Sequence, residues 1–317
     1  MVAKIFIDGE AGTTGLQIRE RLAGRADLEL LSIAADKRKD MDERKRLLNA
    51  ADVAILCLPD EAARESVALI ENETTRVIDA STAYRVDPAW VYGFAEMDKG
   101  QGAAIAGARR LANPGCWPQG LIAALRPLIG AGLIPADFPV TYHGVSGYTG
   151  GGKAMIAEYE AAGASASAYM PYGLTFTHKH LPEMTLYAGL EQAPLFTPVV
   201  GNFAQGMTST VPLPLAGLAR VPRGAELHAA LADHYASIPD SFVAVAPFDA
   251  GLGKSAALDP QAHNGTNRMT LHVFANDKAA QAAVIAVYDN LGKGASGAAV
   301  QNLNLMLGAD PRTSLAG

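Results

Sequence analysis

The chain has 317 residues, of which 49% are hydrophobic and 18% are charged, and its formal net charge is -6. This composition excludes an intrinsically disordered chain, and the acidic balance argues against a nucleic-acid binder. Two cysteines cannot form a disulfide framework, and the first residues lack the features of a signal peptide. Arg126, Pro127 and several glycines interrupt the longest apolar region, so we expect no membrane span and a cytoplasmic protein.

The first third of the chain alternates short apolar runs with helical patterns. Strands are predicted over residues 2–7, 28–34, 51–59 and 76–80. A helix is predicted after the first strand, with Leu16, Ile18 and Leu22 on its apolar face. Short apolar strands that alternate with helices indicate βαβ units and a doubly wound parallel sheet.

The pattern changes after about residue 138. Longer segments, often alternating between polar and apolar residues, predict strands over residues 139–145, 184–190, 197–203, 207–215, 241–246 and 268–274. Such segments suit an antiparallel or mixed sheet with one open face. The tail is predicted to be helical over residues 278–291 and again over residues 295–307.

A glycine-rich turn joins the first strand to the first helix. Gly9, Gly12 and Gly15 follow the strand in the spacing G-x-x-G-x-x-G, with Thr13 and Thr14 before the last glycine. Glycines allow a tight turn and let a pyrophosphate approach the free amide groups at a helix N-terminus. The pattern predicts a dinucleotide site at these five residues, and a purely structural turn is the alternative interpretation.

Basic residues follow the second predicted strand. Residues 36–46 include six basic and four acidic side chains, and Lys37 and Arg38 are the first of the basic ones. Proteins that bind NADP use a basic residue here for the 2′-phosphate, whereas proteins that bind NAD use an acidic one. The local positive excess favours NADP with Lys37 and Arg38 as ligands, although a solvated loop explains the same residues.

The segment NPGCWPQ at residues 113–119 contains the cysteine of interest. Pro118 suits the first turn of a helix, and apolar residues follow it at helical spacing. Cys116 is therefore predicted at or just before a helix N-terminus, where the dipole and free amide groups favour the thiolate. Cys116 is the candidate nucleophile, while Cys57 lies in an apolar strand and is predicted to be an inert core residue.

Two of the seven histidines, His178 and His180, lie close together in the sequence. In an extended segment these alternate residues would face the same side. A metal site needs a third ligand, and neither cysteine belongs to a metal-like cluster, so we expect no metal. An imidazole titrates near neutral pH, which makes either histidine a candidate acid–base group.

Six segments, taken together, resemble the N-acetyl-γ-glutamyl-phosphate reductases, relatives of aspartate-semialdehyde dehydrogenase. The segments are the glycine loop and residues 79–85, 113–119, 146–153, 178–183 and 294–307. They occur in the order typical of that family and extend from residue 5 to about residue 308. The cysteine and histidine segments are the most specific of the six, and the chain length resembles the short form of the family.

The resemblance implies a role for each matching residue. Cys116 would be the nucleophile and His180 the acid–base residue, with His178 as the alternative. Asn113 and Gln119 would orient Cys116 and the substrate carbonyl, and Asn302 would belong to the cofactor site. The residues expected to contact the substrate or its phosphate are Ser81, Arg85, Ser146, Gly147, Lys153 and Glu183.

The predicted fold class is α/β, with a Rossmann-type dinucleotide-binding domain and a second α+β catalytic domain that contains a mixed or antiparallel sheet. We expect the first domain to comprise residues 1–113 with 295–317. Residues 114–294 would form the second domain, which is also expected to mediate assembly into a homo-oligomer, either a dimer or a tetramer.

The implied activity is NADPH-dependent reduction of N-acetyl-γ-glutamyl phosphate, an acyl phosphate, through a cysteine thioester. One alternative is a sister acyl-phosphate reductase that acts on aspartyl phosphate or on a lysine-pathway substrate. A non-enzymatic NADP-binding regulator is the other alternative.

Overall fold

The computed structural model describes residues 2–248 and 257–317. The chain divides into two compact units. The first comprises Met1–Ala95, Gly100–Gly115 and Ala295–Leu315, and the second comprises Glu96–Lys99, Cys116–Gly294 and Ala316–Gly317.

The first unit is built on a six-stranded sheet in which all neighbouring strands are parallel, in the order β2-β1-β3-β4-β6-β5. Its strands are β1 (Ala3–Asp8), β2 (Leu28–Leu31), β3 (Val53–Leu56), β4 (Arg76–Asp79), β5 (Val91–Tyr92) and β6 (Arg110–Ala112). Its helices are α1 (Thr13–Leu22), α2 (Met41–Ala50), α3 (Asp60–Ala68), α4 (Gln101–Gly107) and α9 (Gly297–Leu307).

Helices cover both faces of this sheet. Ile5 and Ile7 of β1 point to one face, where they pack with side chains of α1, α4 and α9. Phe6 points to the other face and packs with α2 and α3. Each fully buried Ile or Phe contributes about 1.5–3 kcal/mol relative to exposure, which explains why the strands are apolar on both sides. The predicted doubly wound parallel sheet is confirmed.

The apolar face of α1 differs from the prediction in one residue. Ile18 and Leu22 are buried as expected, but Leu16 is 43% exposed. Gly15 takes the third buried position because it packs closely against the turn that precedes the helix.

The second unit contains a seven-stranded mixed sheet in the order β11-β12-β13-β10-β7-β9-β8. Its strands are β7 (Thr141–Gly147), β8 (Tyr169–Pro171), β9 (Leu195–Gly201), β10 (Met207–Pro214), β11 (Val243–Val245), β12 (Met269–Asn276) and β13 (Gln281–Tyr288). Its helices are α5 (Cys116–Gly130), α6 (Gly152–Ala162), α7 (Leu181–Ala188) and α8 (Gly224–Ala236).

The strands of this sheet keep the alternation that the sequence indicated. In β10, Met207, Ser209, Val211 and Leu213 are buried and the residues between them are partly exposed. Helix α5 packs against α7 and α8 and against β10 and β13. The start of α5 is thereby held against the sheet.

Two element predictions for the second unit are wrong. Residues 184–190, predicted as a strand, belong mainly to helix α7, which has Pro182 in its first turn and ends at left-handed Gly189. Residues 278–291, predicted as a helix, contain strand β13, which pairs along its whole length with both β10 and β12.

None of the helices in the described ranges is long and apolar enough to cross a membrane.

Candidate active site

The glycine turn lies directly after β1. Gly9 has a φ of +86°, and a Cβ at this position would lie 2.4 Å from the carbonyl oxygen of Cys57. The Gly12 amide donates to the Gly9 oxygen at 2.9 Å, and Gly12 is the N-cap of α1. A Cβ at Gly15 would lie 2.7 Å from the Gly9 oxygen. Because the first amide groups of a helix have no intrahelical partners, this compact turn fits a pyrophosphate.

A cavity of about 460 Å³ opens beside this turn. Gly9 lines it together with the basic residues Arg38, Lys39 and Arg44. Lys37, which was predicted with Arg38 to bind the 2′-phosphate, is not part of this lining. Three acidic residues, Asp8, Glu10 and Glu65, also line the cavity. The three basic residues form one wall of it next to the glycine turn, which we call the basic wall.

The basic residues of this wall differ in how they are held. Arg44 is buried and pairs with Asp8 at 3.0 Å, and Ser66 Oγ donates to the same Asp8 oxygen at 2.8 Å. Arg38 is 46% exposed at its side chain and lies 3.8 Å from Glu10 Oε1. Arg44 is thus a fixed part of the wall, whereas Arg38 can move toward an anion.

A second polar group lies at the carboxyl end of β4, the edge of a doubly wound sheet where ligands bind. Ser81 Oγ donates to Asp79 Oδ2 at 2.7 Å, and Arg85 Nη2 donates to the Ala80 oxygen at 3.0 Å. Asp79, Ser81 and Arg85 are all buried. Burial raises the pKa of Asp79 to about 6, although the hydrogen bonds from Ser81 act in the opposite direction.

Asn302 on α9 holds Asn113 in place. Asn302 Nδ2 donates to Asn113 Oδ1 at 3.0 Å and to the Gly93 oxygen at 2.9 Å, and Asn113 Nδ2 donates to the Ala295 oxygen at 3.1 Å. Both asparagines are at most 1% exposed. Asn302 therefore fixes a residue that lies three positions before Cys116, and its own contact with a cofactor stays a prediction.

Cys116 is the first residue of α5 and is partly exposed. The predicted position at a helix N-terminus is confirmed. Tyr288 OH donates to the Cys116 carbonyl oxygen at 2.7 Å, and Tyr142 OH donates to the Trp117 oxygen at 2.8 Å. These two buried tyrosines fix the first turn of the helix from the side of the sheet.

A chain of ring contacts leads from this turn to the two histidines. Trp117 Nε1 donates to Tyr172 OH at 2.9 Å, and the Tyr172 and His178 ring centroids are 5.8 Å apart. The His178 and His180 centroids are separated by 4.7 Å. Burial raises the pKa of Tyr172, and the proximity of Cys116 raises it further. Within the second unit, Tyr172 thus connects Trp117, the residue after Cys116, to the histidine pair.

The histidine pair lies in a turn and not in an extended segment. His180 has helical backbone angles and is the N-cap of α7, which begins at Leu181 and has Pro182 in its first turn. The His180 amide donates to His178 Nδ1 at 3.2 Å, and the rings meet edge to face. His180 is 7% exposed, and Glu183, in the first turn of α7, is 1% exposed.

The predicted substrate loop begins at the end of β7. Ser146 and Gly147 are buried, and the Gly147 amide donates to the Gly206 oxygen at 2.9 Å. A Cβ at Gly147 would lie 2.5 Å from the oxygen of Ala204, so the loop packs closely at this point. Lys153 lies in the first turn of α6, where it is exposed.

Comparisons with known proteins identify the family. One family model, described as semialdehyde dehydrogenase, NAD binding domain, matches residues 4–105, and another, semialdehyde dehydrogenase, dimerisation domain, matches residues 116–290. The N-acetyl-gamma-glutamyl-phosphate reductase of Chelativorans sp. (strain BNC1) is 66% identical over 97% of this chain and 99% of that protein. The chain belongs to the semialdehyde dehydrogenase family.

Further relatives agree with this assignment. The N-acetyl-gamma-glutamyl-phosphate reductase of Mesorhizobium japonicum is 64% identical over 97% of this chain and all of that protein. The crystal structure of aspartate semialdehyde dehydrogenase II from Vibrio cholerae, complexed with ASA, covers 97% of this chain and 98% of its own with a TM-score of 0.72. At 16% identity that structure supports the fold alone. The resemblance of the six sequence segments is confirmed.

Membership of the semialdehyde dehydrogenase family also confirms the dinucleotide-binding domain, since the match over residues 4–105 contains the glycine turn. Within the part of the chain that the structure describes, no three His, Cys, Asp or Glu side chains are grouped in a way that would hold a metal ion.

Sequence reasoning missed three residues around Cys116. Tyr288 donates to its carbonyl, Gly294 packs against its side chain, and the Lys293 carbonyl accepts from Gln119 Nε2 at 2.7 Å. Each lies more than 170 positions along the chain from Cys116 or Gln119, so no local pattern indicated the contacts. The one available signal was the conspicuous sequence GKG at residues 292–294.

Proposed function

We propose that this protein catalyses the NADPH-dependent reduction of N-acetyl-γ-glutamyl phosphate to N-acetyl-glutamate semialdehyde, with release of phosphate. Two relatives at 66% and 64% identity carry the name of that reductase. The observation that carries the proposal is a partly exposed Cys116 at the start of α5, whose neighbour Trp117 is connected through Tyr172 to His178 and His180. A dinucleotide-binding regulator would not need that arrangement.

The first unit would bind the cofactor. The fit depends on the glycine turn, whose close approaches at Gly9 and Gly15 exclude side chains, with Thr13 and Thr14 at the start of α1. Arg38 and Lys39 would bind the 2′-phosphate of NADP, because they line the basic wall of the adjoining cavity. NADPH, when bound, supplies the hydride for the reaction.

Cys116 would begin the chemistry in the second unit. Its thiolate attacks the carbonyl carbon of the acyl phosphate, the bond to the phosphate oxygen breaks, and phosphate leaves a thioester on the sulfur. The amide groups at the start of α5 can stabilise the oxyanion that forms during this attack. Tyr142 and Tyr288 keep that turn in place through the carbonyl groups of Cys116 and Trp117.

His180 would act as the acid–base catalyst. It donates a proton to the carbonyl oxygen as the thioester is reduced and takes it back when the thiohemiacetal collapses to the aldehyde and the free thiolate. Gln119, three residues after Cys116 on the same helix, would orient the substrate carbonyl, and Asn113 would fix the turn before the cysteine.

The substrate's charged groups would bind to residues from several segments. A guanidinium group such as that of Arg85 binds phosphate or carboxylate through paired hydrogen bonds, and Lys153 offers an exposed cation. The remaining proposed substrate contacts are Ser81, Ser146, Gly147 and Glu183.

The decisive experiment replaces the nucleophile. Cys116→Ser should lower kcat below about one-thousandth of the wild-type value, because a serine hydroxyl is not ionised at neutral pH. NADPH binding, measured by fluorescence titration, should remain unchanged. The assay follows phosphate-dependent NADP reduction with N-acetyl-glutamate semialdehyde.

Two comparisons make this experiment specific. Cys57→Ala should keep the activity, because Cys57 is the chain's other thiol and packs against the core of the first unit. Retained turnover in Cys116→Ser would refute the proposal. Faster reduction of β-aspartyl phosphate than of N-acetyl-γ-glutamyl phosphate would instead assign the protein to a sister reductase.

The protein is further proposed to act as a homo-oligomer, a dimer or tetramer, in the cytoplasm. The family model that matches residues 116–290 is described as a dimerisation domain. In the second unit, Tyr169 of edge strand β8, Leu174 and Phe176 are 50–61% exposed. A second copy of the chain would cover this apolar surface.

A further inference from the structure

Lys293 forms a fully buried ion pair inside the second unit. Its Nζ lies 2.5 Å from Glu96 Oε2, and both side chains are 1% exposed. Glu96 Oε1 also accepts a hydrogen bond from the Phe242 amide at 3.1 Å. Burial lowers the pKa of Lys293, and the carboxylate of Glu96 opposes that change.

An ion pair of this kind is not explained by stability alone. Removing two charges from water costs several kcal/mol for each ion, and a well-packed apolar pair is often at least as stable. Directional contacts with Glu96 and, through it, with the Phe242 amide nevertheless define one position for the Lys293 side chain. With its side chain held in this position, Lys293 has a restricted backbone as well.

The backbone of residues 293–294 lies next to Cys116, the proposed nucleophile. The Lys293 carbonyl accepts from Gln119 Nε2 at 2.7 Å, and Gln119 is buried one turn after Cys116 on α5. The next residue, Gly294, lies so close that an added Cβ would be 2.9 Å from Cys116 Cβ. A small displacement of residues 293–294 would therefore change the packing against Cys116 Cβ and break the hydrogen bond of the Gln119 amide.

We propose that the Lys293–Glu96 ion pair positions Cys116 for reaction. Lys293 acts through its backbone, which sets the distance of Gly294 from the cysteine and the orientation of Gln119. Lys293 and Glu96 are thus positioning residues and do not contact the substrate. The inference rests on the proposed role of Cys116 as the nucleophile.

The test measures the thiol directly. In a Cys57→Ala background, which leaves Cys116 as the single thiol, the rate of iodoacetamide alkylation is recorded against pH together with kcat and KM. Lys293→Met should lower kcat about 30-fold, since a displacement of 1 Å at a reacting group can cost up to about 100-fold. The alkylation profile should shift, while the KM for NADPH stays at the wild-type value.

A double variant separates positioning from folding. Glu96→Gln combined with Lys293→Met removes both charges, so it leaves no unpaired ion in the interior and should regain the thermal stability that the single variant loses. The positioning role predicts that kcat stays low and the alkylation profile stays shifted. Restored stability together with wild-type alkylation would overturn the proposal.

Arg126→Met is the matched control. Arg126 lies on the same helix as Cys116 and pairs with Asp98, two residues after Glu96, at 2.6 Å. Its loss should leave both the alkylation profile and kcat unchanged. Because alkylation needs no substrate, a wild-type profile in Lys293→Met refutes positioning even if the proposed reaction is correct. If the wild-type protein does not reduce the substrate but Lys293→Met still shifts the profile, only the proposed reaction is refuted.

Discussion

The two cysteines show how context decides the chemistry of one residue type. Cys57 follows β3 and packs against the core, where burial raises its pKa to about 12, with further contributions from Asp79 and Asp8. At neutral pH such a thiol is protonated. Cys116 instead lies at the start of a helix, where the free amide groups and the dipole favour the thiolate. Nucleophilic chemistry is therefore expected only at Cys116.

His180→Asn should lower kcat by about 10²- to 10⁴-fold, the usual contribution of a positioned acid–base group. The KM for the substrate should change less than kcat, because an asparagine side chain can still form hydrogen bonds but cannot act as an acid or base. Steady-state kinetics in the direction of NADP reduction measures both constants. An unchanged kcat would transfer the role to His178, whose ring is 4.7 Å away, and His178→Asn would then show the loss.

Local signals were enough to predict elements whose local sequence favours the structure that they form. Strands β1, β3 and β4 and the start of α5 follow from apolar runs, glycines and Pro118. Helix α7 was missed although its signals, Pro182 in the first turn and Gly189 at the end, are present in the sequence. They were outweighed by an apolar run short enough to suit a strand.

Strand β13 could not be predicted by the same reasoning. Its sequence QAAVIAVY contains three alanines, which favour a helix locally. The segment becomes a strand because β10 and β12 pair with it on both sides, and tertiary pairing overrides local propensity. Contacts in the active site could not be predicted locally either. Gln119 donates a hydrogen bond to the carbonyl of Lys293, which lies 174 positions away in the sequence.

Arg38→Ser should weaken the preference for NADPH. Arg38 follows the short 3-10 helix after β2 and lines the cavity beside Gly9, so its loss should lower kcat/KM for NADPH about 10-fold, equal to 1.4 kcal/mol. The value for NADH should remain the same. Lys37→Ser is the matched control, since Lys37 is exposed but lies outside the cavity lining. Equal losses with both cofactors would contradict a role in binding the 2′-phosphate.

In each unit, the site contains residues that lie far apart in the sequence and become neighbours only in the folded chain. In the first unit, Asn302 from the last helix holds Asn113 across 189 positions. In the second unit, Tyr288 from β13 holds the carbonyl of Cys116 across 172 positions. Both contacts involve polar groups in largely buried surroundings. Because the loss of such a hydrogen bond destabilises the fold, the same contacts affect both the stability of the protein and the geometry of the site. A buried titratable group should then make that stability depend on pH.

Asp79 is the group for which this dependence can be worked out. Its pKa is about 6 in the folded protein against the ordinary 3.8 of an aspartate, because burial disfavours the carboxylate. Between pH 4 and 6 the folded state binds more protons than the unfolded state, so the free energy of unfolding falls as pH rises. The expected slope is about 1.4 kcal/mol per pH unit, or about 3 kcal/mol in total, and it levels off above pH 6.

Asp79→Asn should remove this contribution while its amide oxygen still accepts from Ser81. Urea unfolding of variant and wild type between pH 4 and 8 should show the stability difference rising in favour of the variant up to pH 6 and then remaining constant. Asp36→Asn is the control, because it makes the same change of charge at an exposed position of the first unit and should give a curve parallel to the wild type. A parallel curve for Asp79→Asn as well would show that the Asp79 carboxyl is not destabilised by burial, because an ionised group with an ordinary pKa contributes no difference between the two states over this range.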